Sequence, residues 1–238
     1  ETYIAHHVRD TNQKVVIKIP NDDFRKVFKQ DSINRFLEEG ATMAQCKSLK
    51  NPHLVRFMTQ GLSQQQIPVI VMEYIPGQDF SHLSPLPEAQ ALHYIRHVGS
   101  ALMGLHGINM IHRDVKPQNI ILREDSDQAV LVDFGIARSF ATQAALTYAG
   151  TRGFMDPWLA PDGRFDMYSL AVTLHWLITG RLPQDPLGES PAPISQTTQM
   201  AINRAMAEPK QRFATIADFL AALSSGSPEP EEVPGIIH

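Results

Sequence analysis

His112-Arg113-Asp114-Val115-Lys116-Pro117-Gln118-Asn119 decides the fold, because it follows a long apolar-periodic segment and runs into a short strand, which puts its charged side chains on a loop. Asp133-Phe134-Gly135 follows the next strand in the same way, with Asp133 fourteen residues after Asn119. Upstream, Pro87 opens a helix that carries Leu92, Ile95, Val98, Leu102 and Leu105 and closes at Gly107. The two strands, Asn119 to Leu122 and Ala129 to Val132, flank the turn-rich Glu124-Asp125-Ser126-Asp127. Phosphoryl transfer needs a carboxylate to orient a hydroxyl, oxygen ligands for a hard cation and positive charge on phosphates. These loops hold all three kinds of group.

The first 75 residues predict an antiparallel sheet with one helix. Thr2 to Val8 and Lys14 to Ile19 form a hairpin turning at Arg9-Asp10-Thr11-Asn12, and Leu54 to Leu62 pairs with Pro68 to Tyr74 across Gln64-Gln65-Gln66. Between the pairs, Ser32 N-caps a helix with Ile33, Phe36, Leu37 and Ala44 on one face, ended by Asn51-Pro52. Pro76-Gly77 breaks the pattern, and the chain beyond Gly77 is mainly helical. Met167 to Thr179 is apolar on nearly all sides, the mark of a buried central helix, and Thr215 with Asp218 forms a capping box for the last one. From Ser224 an excess of Ser, Gly, Pro and Glu reads as a linker or tail.

With a strand-borne Val15-Val16-Ile17-Lys18 upstream, the sequence resembles the eukaryotic-like (Hanks-type) serine/threonine protein kinases from about Thr2 to Leu223, in a bacterial style. The resemblance implies an α+β fold of two lobes, with an N-lobe at residues 1–75, a C-lobe at 76–223 and a tail at 224–238. It implies ATP and magnesium, with manganese as a substitute, and protein Ser/Thr hydroxyls as acceptors. Lys18 then matches the lysine on the ATP phosphates, Asp114 the catalytic base, Lys116 the lysine on the transferred phosphoryl group, and Asn119 and Asp133 the metal ligands. A helix glutamate must pair with Lys18. At about 100° per residue Glu39 falls at the edge of the apolar face and Glu38 on the solvated side, so Glu39 is the expected partner. The adenine would hang from the backbone of Glu73-Tyr74-Ile75, with Met72 behind it, Leu122 beneath and Val16 in place of the usual alanine above.

Arg113 matches the arginine that reads a phosphate on the activation segment, Asp133 to Pro157, which offers Ser139, Thr142, Thr147, Tyr148 and Thr151. Thr147 is the expected autophosphorylation site, with Thr142 second and Thr151 reserved for contact with the catalytic loop. Departures exist. Met155-Asp156-Pro157-Trp158 replaces the Ala-Pro-Glu motif, so Trp158 stands where a glutamate would pair with Arg212, and Trp158 is expected to pack beneath the activation segment. Glu1-Thr2-Tyr3 resembles the end of the family's glycine-rich loop, and the loop itself is not among these 238 residues.

Composition narrows the rivals. A formal net charge of -4 supplies no overall positive field for nucleic acid. One cysteine, Cys46, excludes an intrachain disulfide and fits a reducing, cytoplasmic compartment. The apolar runs fall short of the roughly 18 residues that cross a bilayer, so no membrane contact is expected. Oligomeric state is not legible. His93 and His97, four apart on the long helix, read as exposed helix histidines and His112 as a buried brace of its loop. A pseudokinase scaffold is the nearer rival reading, argued by Trp158 and by the glycine-rich loop not being among these residues, and a small-molecule kinase the more distant one, opposed by Lys116-Pro117 and Gly135.

Overall fold

The computed structural model describes residues 1–7, 10–20, 36–37, 40–41, 43–133, 138–139, 153–183 and 194–224. Four antiparallel strands, β1 (Thr2–His7), β2 (Asp10–Lys18), β3 (Phe57–Leu62) and β4 (Pro68–Glu73), form one sheet in the order β1-β2-β4-β3. Along β4, Pro68, Ile70 and Met72 are buried while Val69, Val71 and Glu73 are half-buried, the alternation of a sheet with one face on a core. The hairpin is tighter than the sequence implies. His7 pairs with Asp10, so Asp10 to Asn12 belong to β2, and cross-strand pairing overrides the turn preference of Asp and Asn.

Residues described between 36 and 46 are helical, and Phe36, Met43 and Cys46 point inward. Ala44, expected on that face, is exposed, because the longer Met43 and Cys46 side chains fill the inward positions. Ser32 and Ile33 lie outside the described residues. Leu54 does not start β3 as expected. Val55 N–H donates to the Leu131 carbonyl at 3.0 Å and Leu131 N–H to the His53 carbonyl at 2.9 Å, so this segment leaves the sheet and threads into the C-terminal half.

There, helices α1 (Glu88–Gly107), α2 (Arg164–Thr179), α3 (Gln196–Ala205) and α4 (Ile216–Ser224) pack around α2, which is buried on nearly all sides. Gly180 ends α2 with φ 70°, a left-handed cap open to glycine, and donates to the Trp176 carbonyl at 2.7 Å. Thr215 and Asp218 form the expected capping box, each backbone N–H meeting the other side chain at 3.0 and 3.2 Å. Helix α4 runs through Ser224, which the composition places in the tail, because Ser224 Oγ returns to the Leu220 carbonyl at 3.1 Å. Strands β5 (Gly77–Asp79), β7 (Ile120–Arg123) and β8 (Ala129–Leu131) form a second sheet, and β6 (Met110–Ile111) pairs with β9 (Arg138–Ser139). One core runs from Phe36 and Ile70 under the first sheet through Val55 and Leu131 to Leu223. Among the described residues, no helix is long and apolar enough to cross a membrane.

Candidate active site

The loop 112–119 is fixed from below by Asp166 in the first turn of α2, whose side chain is fully buried. Asp166 Oδ2 accepts from His112 N–H at 2.9 Å and Oδ1 from Arg113 N–H at 2.8 Å, and His106 Nε2 reaches Oδ2 at 2.8 Å. Burial alone would raise this carboxyl, but the His106 hydrogen bond and charge, with the His112 charge and N–H, outweigh it and hold the carboxyl below the usual carboxylate range. A side chain at Gly163 would bring its Cβ within 2.5 Å of His106 Nδ1, so glycine there lets His106 reach Asp166. His112 is buried as expected, and burial is the main reason its pKa is lowered, against the charges of Asp166, Asp114 and Asp133.

Arg113 and Asp133 both have left-handed backbones, φ 68° and 63°, an uncommon choice for residues with a Cβ and one that clusters at functional sites. Between them the site assembles. Lys116 Nζ and Asn119 Nδ2 converge on Asp114 Oδ2 at 2.7 and 2.8 Å, and Asn119 Nδ2 also donates to the Asp114 carbonyl at 2.8 Å. Asp114 Oδ1 has no hydrogen-bond partner among the described residues. The carboxylate is therefore clamped through one oxygen and offers the other.

Asn119 and Asp133 are neighbours through the β7–β8 pairing, with Val132 N–H donating to the Asn119 carbonyl at 2.8 Å. Lys18 Nζ meets Asp133 Oδ1 at 2.6 Å, which joins β2 of the first sheet to the end of β8. The amide oxygen of Asn119 and the second Asp133 oxygen are then hard donors suited to magnesium, which keeps waters and substrate phosphates for its other positions. Among the described residues no cluster of three or more His, Cys, Asp or Glu could hold a metal ion by itself.

At the junction of the lobes, Met72 is 6% exposed and Ile75 5%, while Val16, Leu122 and Val132 are only half-covered. Glu73 spends its N–H on the Arg56 carbonyl at 3.0 Å, and its side chain accepts from Arg56 N–H at 2.9 Å. The Ile75 N–H and carbonyl have no hydrogen bond among the described residues.

Trp158 meets the sequence reading only in part. It is 46% exposed, edge-on to Tyr168 at 6.2 Å and 5.4 Å from the Arg212 guanidinium, so it packs only partly on the C-terminal half, and most of the activation segment lies outside the described residues. Arg212 pairs with Asp156, two residues before Trp158, through both guanidinium ends at 2.7 Å, and both side chains are fully buried. The shorter Asp reaches Arg212 from a position two residues earlier, so the carboxylate is kept and only its place in the chain changes. Sequence reasoning missed Asp156 and His106; the signal for Asp156 was a carboxylate two residues from a motif that lacked its own. His97 also departs, since it stacks on His53 at 4.1 Å and is half-buried, whereas His93 is exposed beside Asp127. Glu39, Phe134, Gly135, Thr142, Thr147 and Thr151 lie outside the described residues.

Comparison with known proteins agrees with this geometry. The model of the protein kinase domain matches residues 2–229. Serine/threonine-protein kinase PknB of Mycobacterium leprae is 30% identical over the whole of this chain and 42% of its own. Serine/threonine-protein kinase pkn3 of Myxococcus xanthus is 32% identical over 82% of this chain and 42% of its own. Serine/threonine-protein kinase PknH of Mycobacterium tuberculosis is 30% identical over 98% of this chain and 40% of its own. The chain thus spans about two fifths of the length of these relatives. With Asp114, Lys116, Asn119, Asp133 and Lys18 brought to one cleft between a sheet and a helical lobe, this chain belongs to the protein kinase domain family.

Proposed function

We propose that the protein is a bacterial serine/threonine protein kinase that moves the γ-phosphoryl group of ATP to Ser or Thr hydroxyls of proteins. The observation that carries this is Asp114, held through Oδ2 by Lys116 and Asn119 with Oδ1 left for an incoming hydroxyl. As that hydroxyl attacks, Asp114 orients it and takes its proton, while Lys116, 2.7 Å away, places a positive charge beside the same carboxylate and the transferred group. Lys18 holds the phosphates, and Asn119 and Asp133 hold the cation, magnesium or manganese in its place. The cation supplies neutralisation of phosphate charge. Ile75 and Glu73 give their backbones to the adenine, which Val16, Leu122 and Met72 enclose, and Glu39 pairs with Lys18 from the helix.

The part of the pseudokinase reading that rests on Trp158 weakens because Asp156 keeps Arg212 paired. We place the lobes at residues 1–75 and 76–223, with a tail beyond, in the cytoplasm. Arg113, whose backbone N–H is anchored on Asp166, would read a phosphate on Thr147, with Thr142 as the second acceptor. The test is transfer of labelled phosphate from ATP to a generic protein substrate. Asp114→Asn should lower the rate by about 10²–10⁴ while nucleotide binding persists. Equal rates for variant and wild type would refute the assignment, and Thr147→Ala with full activity would remove the regulatory part alone.

A further inference from the structure

A cavity of about 310 Å³ opens at the joint of the lobes, between residues 46–57, Glu73 and Arg123. None of Lys18, Asp114, Lys116, Asn119 or Asp133 lines it, so it is separate from the phosphoryl-transfer site. Its rim is cationic: Lys47, Lys50, Arg56 and Arg123 face a single carboxylate, Glu73. That carboxylate is already engaged by the Arg56 N–H and lies 3.5 Å from Arg123 Nη2. Lys47, Lys50 and Arg56 have no ion pair among the described residues. Beneath the rim Leu54, Val55 and Phe57 give an apolar floor. Such a site suits an extended segment with carboxylates and an apolar side chain.

The same chain carries one. After Ser224 comes Ser225-Gly226-Ser227-Pro228-Glu229-Pro230-Glu231-Glu232-Val233, with three carboxylates in four residues, no lysine or arginine, and prolines that favour an extended backbone. Its point of departure is close to the cavity. Ser224 Oγ accepts from Arg96 Nη2 at 3.3 Å on α1, and one turn further on, about 6 Å along the axis, the Ser100 carbonyl accepts from Asn51 Nδ2 at 3.0 Å. Asn51 lines the cavity. Glu229 lies five residues beyond Ser224, a reach of up to about 17 Å when extended.

We propose that the acidic run Glu229-Pro230-Glu231-Glu232 docks into this cavity in the same molecule, its carboxylates on Lys47, Lys50 and Arg56 and Val233 on the apolar floor. Because the segment leaves the end of α4 in the C-terminal half and the cations it meets come from the N-terminal half, the docked segment ties the two lobes together behind the hinge residue Glu73.

The experiment is zero-length carbodiimide coupling of carboxylates to lysines on the full chain, as an equal mixture of ¹⁴N- and ¹⁵N-labelled protein, read by mass spectrometry of cross-linked peptides. The expected result is same-isotope links from Glu229, Glu231 or Glu232 to Lys47 or Lys50, reduced at least fivefold by Arg56→Glu and by about 1 M salt, which shortens the screening length to about 3 Å. A second measurement, amide hydrogen exchange, should show faster exchange at residues 49–57 when the three glutamates are changed to Gln. Mixed-isotope links would overturn the proposal in favour of docking between copies. Links to Lys210 as abundant as those to Lys47 and Lys50, or exchange at 49–57 indifferent to the Gln changes, would also overturn it.

Discussion

Asp156→Ala removes the carboxylate that neutralises Arg212. Both side chains are fully buried, the pair is bidentate at 2.7 Å, and Asp156 also accepts from Trp158 N–H at 3.0 Å and Ala160 N–H at 3.1 Å. Arg212 keeps the Ala207 and Arg164 carbonyls, at 2.7 and 2.8 Å, but these dipoles cannot replace a full negative charge. Breaking a buried pair by removing one partner costs about 3–5 kcal/mol, because an uncompensated ion stays in the interior. Set against a total stability of about 5–15 kcal/mol, this is a large fraction. At about 2–4 °C per kcal/mol for a chain of this size, the melting temperature should fall by roughly 6–20 °C in calorimetry. The second arm of the test is relocation. Asp156→Ala combined with Trp158→Glu recreates the Ala-Pro-Glu spelling, and should recover most of the loss, since Trp158 already lies with its ring 5.4 Å from the Arg212 guanidinium. A single variant that melts within about 2 °C of wild type would show that the pair adds little and that the reasoning from burial is wrong.

Asp133→Asn should weaken metal-dependent nucleotide binding and release Lys18 from its 2.6 Å contact, seen as a shifted magnesium titration; superimposed titrations would exclude the metal role. Asp166→Asn should lower the turnover rate at least tenfold with nucleotide affinity nearly unchanged, because it loosens the His112 and Arg113 backbone anchors and leaves the phosphate-binding groups in place. Acid should destabilise the fold through the His53–His97 stack. Burial first, then the neighbouring histidine charges, lower the His97 pKa from 6.5 to about 4, and burial likewise lowers His53. A native pKa below the unfolded one means that stability present above about pH 6.5 is lost as pH falls toward 4. His97→Phe, which keeps a ring on His53, should flatten melting temperature against pH over that window, and an unchanged slope would count against the stack as the source.

The residues proposed for phosphoryl transfer were legible because the chemistry confines them to short loops. A carboxylate, a lysine two residues on and an asparagine five residues on can converge only if the loop turns back on itself, and Asp114, Lys116 and Asn119 do so within 2.8 Å. The helices α1 and α2 were equally readable, since a 3.6-residue period or an all-round apolar surface is a local property of the chain. Long-range pairing was not local. Arg212 had several carboxylates to choose from, and Asp156, 56 residues away, was selected by the space beneath α2, not by the motif that usually supplies the partner. Likewise Lys18 and Asp133 are 115 residues apart, and His106 meets Asp166 only because a residue without a side chain at 163 leaves room. The inward face of the N-terminal helix fell to Met43 and Cys46 over Ala44 because burial rewards volume, and the volume to be filled is set by the strands it covers. Sequence determines which groups can react and which segments coil or extend. Which buried charges meet is decided by packing, because the desolvation cost of each ion is offset only by the partner that the assembled fold places within hydrogen-bond reach.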